Sequence, residues 1–130
     1  MTQDQTTGAK GDAFGRAAAK EIARLVGAKL VRKSSNEAVL DGKRVVIKSA
    51  GRGDDKVGVS LQMLSHLDGI VAAFQNDDEI FEVYLLEPSV YAAHMTPTRS
   101  KGPSSGKVGV LRKSVFISCG KAITSFRVNA

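Results

Sequence analysis

The sequence predicts an α/β (α+β) fold, a mixed central sheet with flanking helices. A helix-forming segment rich in Ala, Lys, Arg, Glu and Leu comes first. A β-hairpin signal follows it, and further strand patterns then alternate with short helical segments. Strands that alternate with helices in one short chain are typical of a sheet covered by helices.

Length and composition bound the domain organisation. The chain has 130 residues, of which 42% are hydrophobic and 25% charged, as in an ordinary soluble domain. Residues 1–11 are polar and predict a disordered tail, so residues 12–130 are expected to form a single domain. No apolar run approaches the roughly 20 residues of a membrane span, and no signal peptide is recognisable. We therefore expect a cytoplasmic protein with no membrane partner.

The charge balance favours a polyanionic partner. Nineteen Lys and Arg against thirteen Asp and Glu give a net charge of +6 and a pI near 9.7, which indicates nucleic acid, in particular DNA. The candidate nucleic-acid-binding residues are a helical row and an acid-free stretch, namely Arg16, Lys20, Arg24, Arg99, Lys101, Lys107, Arg112 and Lys113. A solvated surface is the alternative for these residues, and the sequence leaves open a homodimer or a partner subunit.

The first helix and strand have clear boundary signals. Asp12 is a candidate N-cap, the helix is predicted from Ala13 to Val26, and Gly27 is a natural stop. Glu21 lies beside the apolar stripe of this helix. Residues 28–32 then predict a strand that leads into the hairpin.

Asp41 and Gly42 form the strongest local signal in the chain. Asp-Gly between two apolar runs predicts a two-residue hairpin turn with positive φ at both residues. The resulting register pairs Glu37 with Val46. Alternation then places a core set on one face, Ala38, Leu40, Val45 and Ile47, and a mixed set on the other, Glu37, Val39, Arg44, Val46 and Lys48. On that mixed face Lys48 is diagonal to Glu37 and within its reach.

Later elements follow from turn and cap residues. Ser60 is predicted to cap a short helix through Leu67, and Pro88 to open another through about Ala93. Residues 95–107 predict a loop. The predicted strands are Ile70 to Phe74, Ile80 to Leu86, Val108 to Leu111, Val115 to Ser118 and Ala122 to Val128.

The hairpin and the element order resemble the PD-(D/E)XK nuclease superfamily, which has the restriction-endonuclease-like fold. Glu37 stands where the family has its first acid, and Val46-Ile47-Lys48 stands where it has acid-x-lysine. The resemblance implies a metal-dependent DNA endonuclease with Glu37, Lys48, Glu21 and Gln62 as catalytic residues. It also implies Mg²⁺ held by Glu37 and Glu21.

Val46 departs from the family pattern, which has Asp or Glu at that position. One interpretation is that another carboxylate replaces it. Glu21 is the better candidate, because Asp41 in the turn should point outward. The other interpretation is a degenerate site on a non-catalytic module that binds nucleic acid or protein. For Glu37 and Lys48 a simple surface ion pair is also open.

Overall fold

Two β-sheets form the framework of the protein in the computed structural model, which describes residues 17–31, 36–98 and 107–127. The large sheet has the strand order β1-β2-β3-β5-β6-β9, and the small sheet has the order β4-β8-β7. The strands are β1 (Lys29–Leu30), β2 (Glu37–Leu40), β3 (Lys43–Ala50), β4 (Lys56–Ser60), β5 (Gly69–Gln75), β6 (Ile80–Leu86), β7 (Thr96–Pro97), β8 (Val108–Arg112) and β9 (Lys121–Arg127). Among these, β3 and β5 pair in parallel and the other pairs are antiparallel. The mixed α+β class is therefore confirmed.

Within the described residues, four helices accompany the sheets. The described part of α1 covers residues 17–26, and the others are α2 (Leu61–Leu64), α3 (Pro88–His94) and α4 (Lys113–Cys119). Helix α2 begins at the predicted cap Ser60 but ends before the predicted Leu67. None of the helices in the described parts of the chain is both long and apolar enough to span a bilayer.

The hairpin forms as the sequence predicts. Asp41 has φ 52° and Gly42 has φ 78°, which are the positive values that the two-residue turn requires. The register pairs Glu37 with Val46 and Leu40 with Lys43. Turn chemistry alone therefore determines which hairpin residues share a face.

Helix α1 ends at Gly27, as predicted. Gly27 has φ 80°, and the amide of Ala28 donates to the carbonyl of Ala23 at 2.8 Å. This is the bond that closes a helix with glycine in the left-handed conformation. The predicted tail at 1–11, the cap Asp12 and the cation Arg16 lie outside the described residues.

The large sheet buries a separate apolar cluster on each face. On one face, α1 packs through Ala18 and Ile22 against Val45 and Ile47 of β3. On the other face, Val46 belongs to a cluster shared with the small sheet and helices α2 to α4. The described residues thus form three layers: helix α1, the large sheet, and the small sheet with its helices.

The strand predicted from Val115 to Ser118 is wrong, because these residues lie in α4. The β-branched Val115 and Ile117 favour a strand when only local propensity is considered. Packing overrides this preference. A helix buries Phe116 against Phe74 and Tyr91, with ring centroids 5.4 and 6.2 Å away.

Candidate functional site

Glu37 forms an ion pair with Arg44 across the hairpin. Arg44 Nε lies 3.3 Å from Glu37 Oε2, and the two side chains are 50% and 28% exposed. The predicted register places Arg44 and Lys48 on opposite diagonals of Glu37, and Arg44 is the one that makes this ion pair. A pair with this much exposure contributes little stability. The ion pair does place a carboxylate and a guanidinium next to each other on one face of the hairpin.

This ion pair lines a cleft of about 310 Å³ under helix α2. Ser60 at the end of β4 accepts a long hydrogen bond of 3.5 Å from the amide of Met63, which orients the first turn of α2. That helix and the turn after it supply the opposite wall. The residues that line the cleft are Glu37, Arg44, Ser60, Gln62, Met63, His66 and Leu67. Glu37 and the predicted Gln62 are therefore brought together.

Glu21 lies on the other side of the large sheet. Its helix packs on the face that carries Val45 and Ile47, whereas Glu37 pairs with Val46, which faces the opposite cluster. Glu21 instead binds Arg24 on its own helix, and this hydrogen bond lowers the pKa of the carboxyl. A full layer of strands separates Glu21 from the cleft.

The donor set of the cleft does not fit the metal site that the resemblance implies. The resemblance implies two carboxylates, Glu37 and Glu21, as ligands of Mg²⁺, a cation that binds oxygen donors. Among the cleft residues Glu37 is the one carboxylate, and Arg44 already engages one of its oxygens. Val46, at the second acidic position, is 0% exposed inside an apolar cluster. Within the described residues, no group of three or more His, Cys, Asp and Glu could hold a metal ion.

Lys48 projects from the same face as Val46 and is partly buried above Ala72 of β5. This burial lowers the pKa of its ammonium. In the part of the chain that the structure describes, no carboxylate lies within ion-pair distance of Lys48. Lys48 does not line the cleft that holds Glu37 and Gln62.

The small sheet carries a group of cations on its outer face, separate from the cleft. Val57, Val59 and Leu111 point into the core, so alternate residues of β4 and β8 point outward. Lys56 and Arg112 are directly opposite each other on this outer face. We call the outward residues of β4 and β8, together with Lys107 immediately before β8, the cationic face.

Two like charges placed directly opposite each other in an antiparallel sheet are destabilising. No carboxylate among the described residues lies within ion-pair distance of Lys56 or Arg112. Lys107 is exposed at the other end of the face and is similarly without an ion pair in that part of the chain. Among the described residues, this face therefore has cations that no neighbouring carboxylate neutralises.

The other cations predicted to bind nucleic acid do not lie together on the cationic face. Lys113 lies 3.3 Å from Glu82 and is thereby partly neutralised. Lys20 and Arg24 are exposed on α1, across the large sheet from the cationic face. Arg99 and Lys101 lie outside the described residues.

Some residues of the cleft and the cationic face were not predicted from the sequence to belong to a functional site. Lys56 is placed opposite Arg112 only because β4 pairs with β8. These strands are far apart in the chain, and the local sequence gives no signal of their pairing. His66 and Ser60 join the cleft because α2 packs over the hairpin. Arg44 could have been found, because the predicted register already placed it diagonal to Glu37.

No protein-family model matches this chain, and no curated protein matches its sequence. The class that the structure defines is an α+β protein with a mixed six-stranded sheet and a three-stranded sheet.

Proposed function

We propose that this protein binds DNA through the cationic face as a non-catalytic module on a nuclease-like fold. The observation that carries the proposal is the direct pairing of Lys56 with Arg112. This arrangement costs free energy in the unbound protein, and a phosphate between the two side chains would relieve it. Arg and Lys side chains are the usual donors to phosphate oxygens.

The dimensions of the face suit a nucleic-acid backbone. Lys56 and Ser60 are the two ends of β4, so they lie about 13 Å apart at roughly 3.3 Å per residue. Lys107 is next to the Ser60 end, since its carbonyl accepts from the amide of Leu61 at 2.9 Å. A length of about 13 Å corresponds to the axial rise of roughly four nucleotides of one strand. Cations at both ends could therefore contact phosphates of the same strand.

The resemblance to PD-(D/E)XK nucleases supports a nucleic-acid partner but not a catalytic one. A helix, a hairpin and then a strand parallel to the second hairpin strand follow one another along the chain, and this order supports the proposed likeness. Metal-dependent cleavage would need carboxylates gathered in one cleft, and Glu21 and Val46 do not supply them. Binding without hydrolysis is the function that the geometry supports best.

The test is the salt dependence of binding to a short DNA duplex. We compare the wild type with a Lys56→Gln/Arg112→Gln variant. If both side chains contact phosphate, the slope of log affinity against log salt should fall by about 1.8, or roughly 0.9 for each contact. Both residues are exposed, so the variant should fold normally, which circular dichroism can check.

The matched control is Lys20→Gln/Arg24→Gln, which removes the same charge from exposed positions on α1, across the large sheet from the cationic face. Its slope should stay near that of the wild type. Equal slopes for wild type and both variants would overturn the assignment of the interface. Absence of any salt-dependent binding by the wild type would overturn the proposed function itself.

A further inference from the structure

We infer that the cleft under α2 accepts one unpaired nucleobase from a strand whose backbone lies on the cationic face. This inference rests on the proposed function and assigns a separate role to the cleft. The two features adjoin, because Ser60 is both the last residue of β4 and part of the cleft wall.

The charge of the cleft suits a neutral, polar ligand. Glu37 and Arg44 neutralise each other, so the cleft does not attract a phosphate as the cationic face does. A cleft of about 310 Å³ lies at the lower end of the range of roughly 300–1,000 Å³ for small-ligand pockets. It is therefore suited to one planar group rather than to a folded stretch of nucleic acid.

The side chains of the cleft match the chemistry of a base edge. The amide of Gln62 can both donate and accept, and the ring nitrogens of His66 can do either, according to the tautomer. Base edges likewise present donors and acceptors side by side. Met63 and Leu67 add apolar surface against which the face of a base can pack.

A base must be unpaired to present its hydrogen-bonding edge to the cleft. Within a duplex, the hydrogen-bonding edge of a base is occupied by its complement, and extruding the base costs free energy. Single-stranded DNA avoids this cost. We therefore expect a single strand to gain affinity from the cleft that its sugar–phosphate backbone alone does not provide.

The experiment compares two single strands of equal length, one of deoxyadenosine nucleotides and one composed entirely of abasic sites. The wild type should bind the abasic strand about tenfold more weakly, as expected when one base loses a good set of hydrogen bonds. Gln62→Ala and His66→Ala should each reduce this ratio by half or more. The matched control is His94→Ala, which changes the exposed histidine of α3 and should leave the ratio unchanged.

A second readout follows the base directly. A strand with a single 2-aminopurine should gain fluorescence on binding as that base leaves its stack, and the gain should be smaller with His66→Ala than with His94→Ala. Equal affinity for the two strands would overturn the inference and leave the proposed function intact. If the affinity ratio between the deoxyadenosine and abasic strands is unchanged in both Gln62→Ala and His66→Ala, the base does not bind in this cleft. Failure to bind either strand, or duplex, would overturn both proposals.

Discussion

At the residue scale, the hairpin determines the positions of residues that the sequence predicts for the site. The turn residues determine the register, and the register determines that Glu37, Arg44, Val46 and Lys48 share a face. The environment of each residue then differs, because α2 and the small sheet cover only part of that face. Val46 is fully buried, Lys48 is partly buried, and Arg44 is exposed.

Gly42 should be sensitive to substitution because of its backbone conformation. Gly42→Ala should lower the free energy of unfolding by about 1–2 kcal/mol, since an L-residue is strained at φ 78° although the space around it is open. Urea denaturation measures the change. Gly51→Ala is the matched control, because Gly51 has no such φ and its nearest neighbour would be 3.9 Å from the added carbon. Equal stability of Gly42→Ala and wild type would contradict the turn assignment.

Val46→Glu tests whether the second acidic position of the resemblance can be restored. Val46 is 0% exposed among apolar residues, so the new carboxylate should destabilise the protein by about 3 kcal/mol or more near neutral pH. Burial should raise the pKa of this carboxyl. The loss should therefore shrink as the pH falls from the raised pKa of the folded state towards about 4.3, the ordinary value, and should change no further below it, where the group is protonated in both states.

Val39→Glu is the control for this substitution on the same hairpin face. Val39 is 43% exposed and pairs with Arg44 and Lys29, so the change should have little effect on the urea midpoint. Should Val46→Glu be as stable as Val39→Glu, Val46 would have to face solvent, and the assignment of the two faces would fail.

At the scale of elements, α4 shows how packing replaces a local preference. Phe116 fills the space between the large sheet and α3, and Tyr91 of α3 donates from its hydroxyl to the carbonyl of Gly109 at 2.6 Å. Helices α3 and α4 and strand β8 are thus joined around the cluster of aromatic rings formed by Phe74, Tyr91 and Phe116. The small sheet that carries the cationic face depends on this cluster for its position.

Phe116→Ala should lower the free energy of unfolding by about 3–5 kcal/mol, because it removes a ring that is 0% exposed. Ile117→Ala should change it by no more than about 0.5 kcal/mol, since Ile117 is 54% exposed. Thermal or urea melting of both variants distinguishes the helix from the predicted strand. In the predicted strand, Val115 and Ile117 would share the buried face. A greater loss of unfolding free energy for Ile117→Ala than for Phe116→Ala would therefore favour the strand over the helix.

At the scale of the whole molecule, the large sheet separates two groups of cations. Lys20 and Arg24 of α1 lie on one side, and the cationic face of the small sheet lies on the other. One rigid duplex could not contact both groups on a single surface. The proposed interface therefore uses the cationic face.

The same separation bears on cleavage. Wild-type protein with Mg²⁺ or Mn²⁺ is expected to leave supercoiled plasmid intact under conditions in which it binds DNA, because Glu21 and Glu37 lie on opposite faces of the sheet. Gel electrophoresis of the plasmid measures this. Nicking that is lost in both Glu37→Gln and Lys48→Ala would contradict the non-catalytic proposal and support the endonuclease interpretation.

The sequence by itself determined the local features of this protein. Asp41-Gly42 determined the hairpin register, Gly27 the end of α1, and Pro88 the start of α3, because each depends on backbone conformation within a few residues. Only the tertiary structure decided that Glu21 lies across the sheet from Glu37, that Phe116 belongs to a helix, and that Lys56 meets Arg112. These outcomes depend on contacts between distant segments, where the burial of apolar faces outweighs local preference and leaves no signal in the nearby sequence.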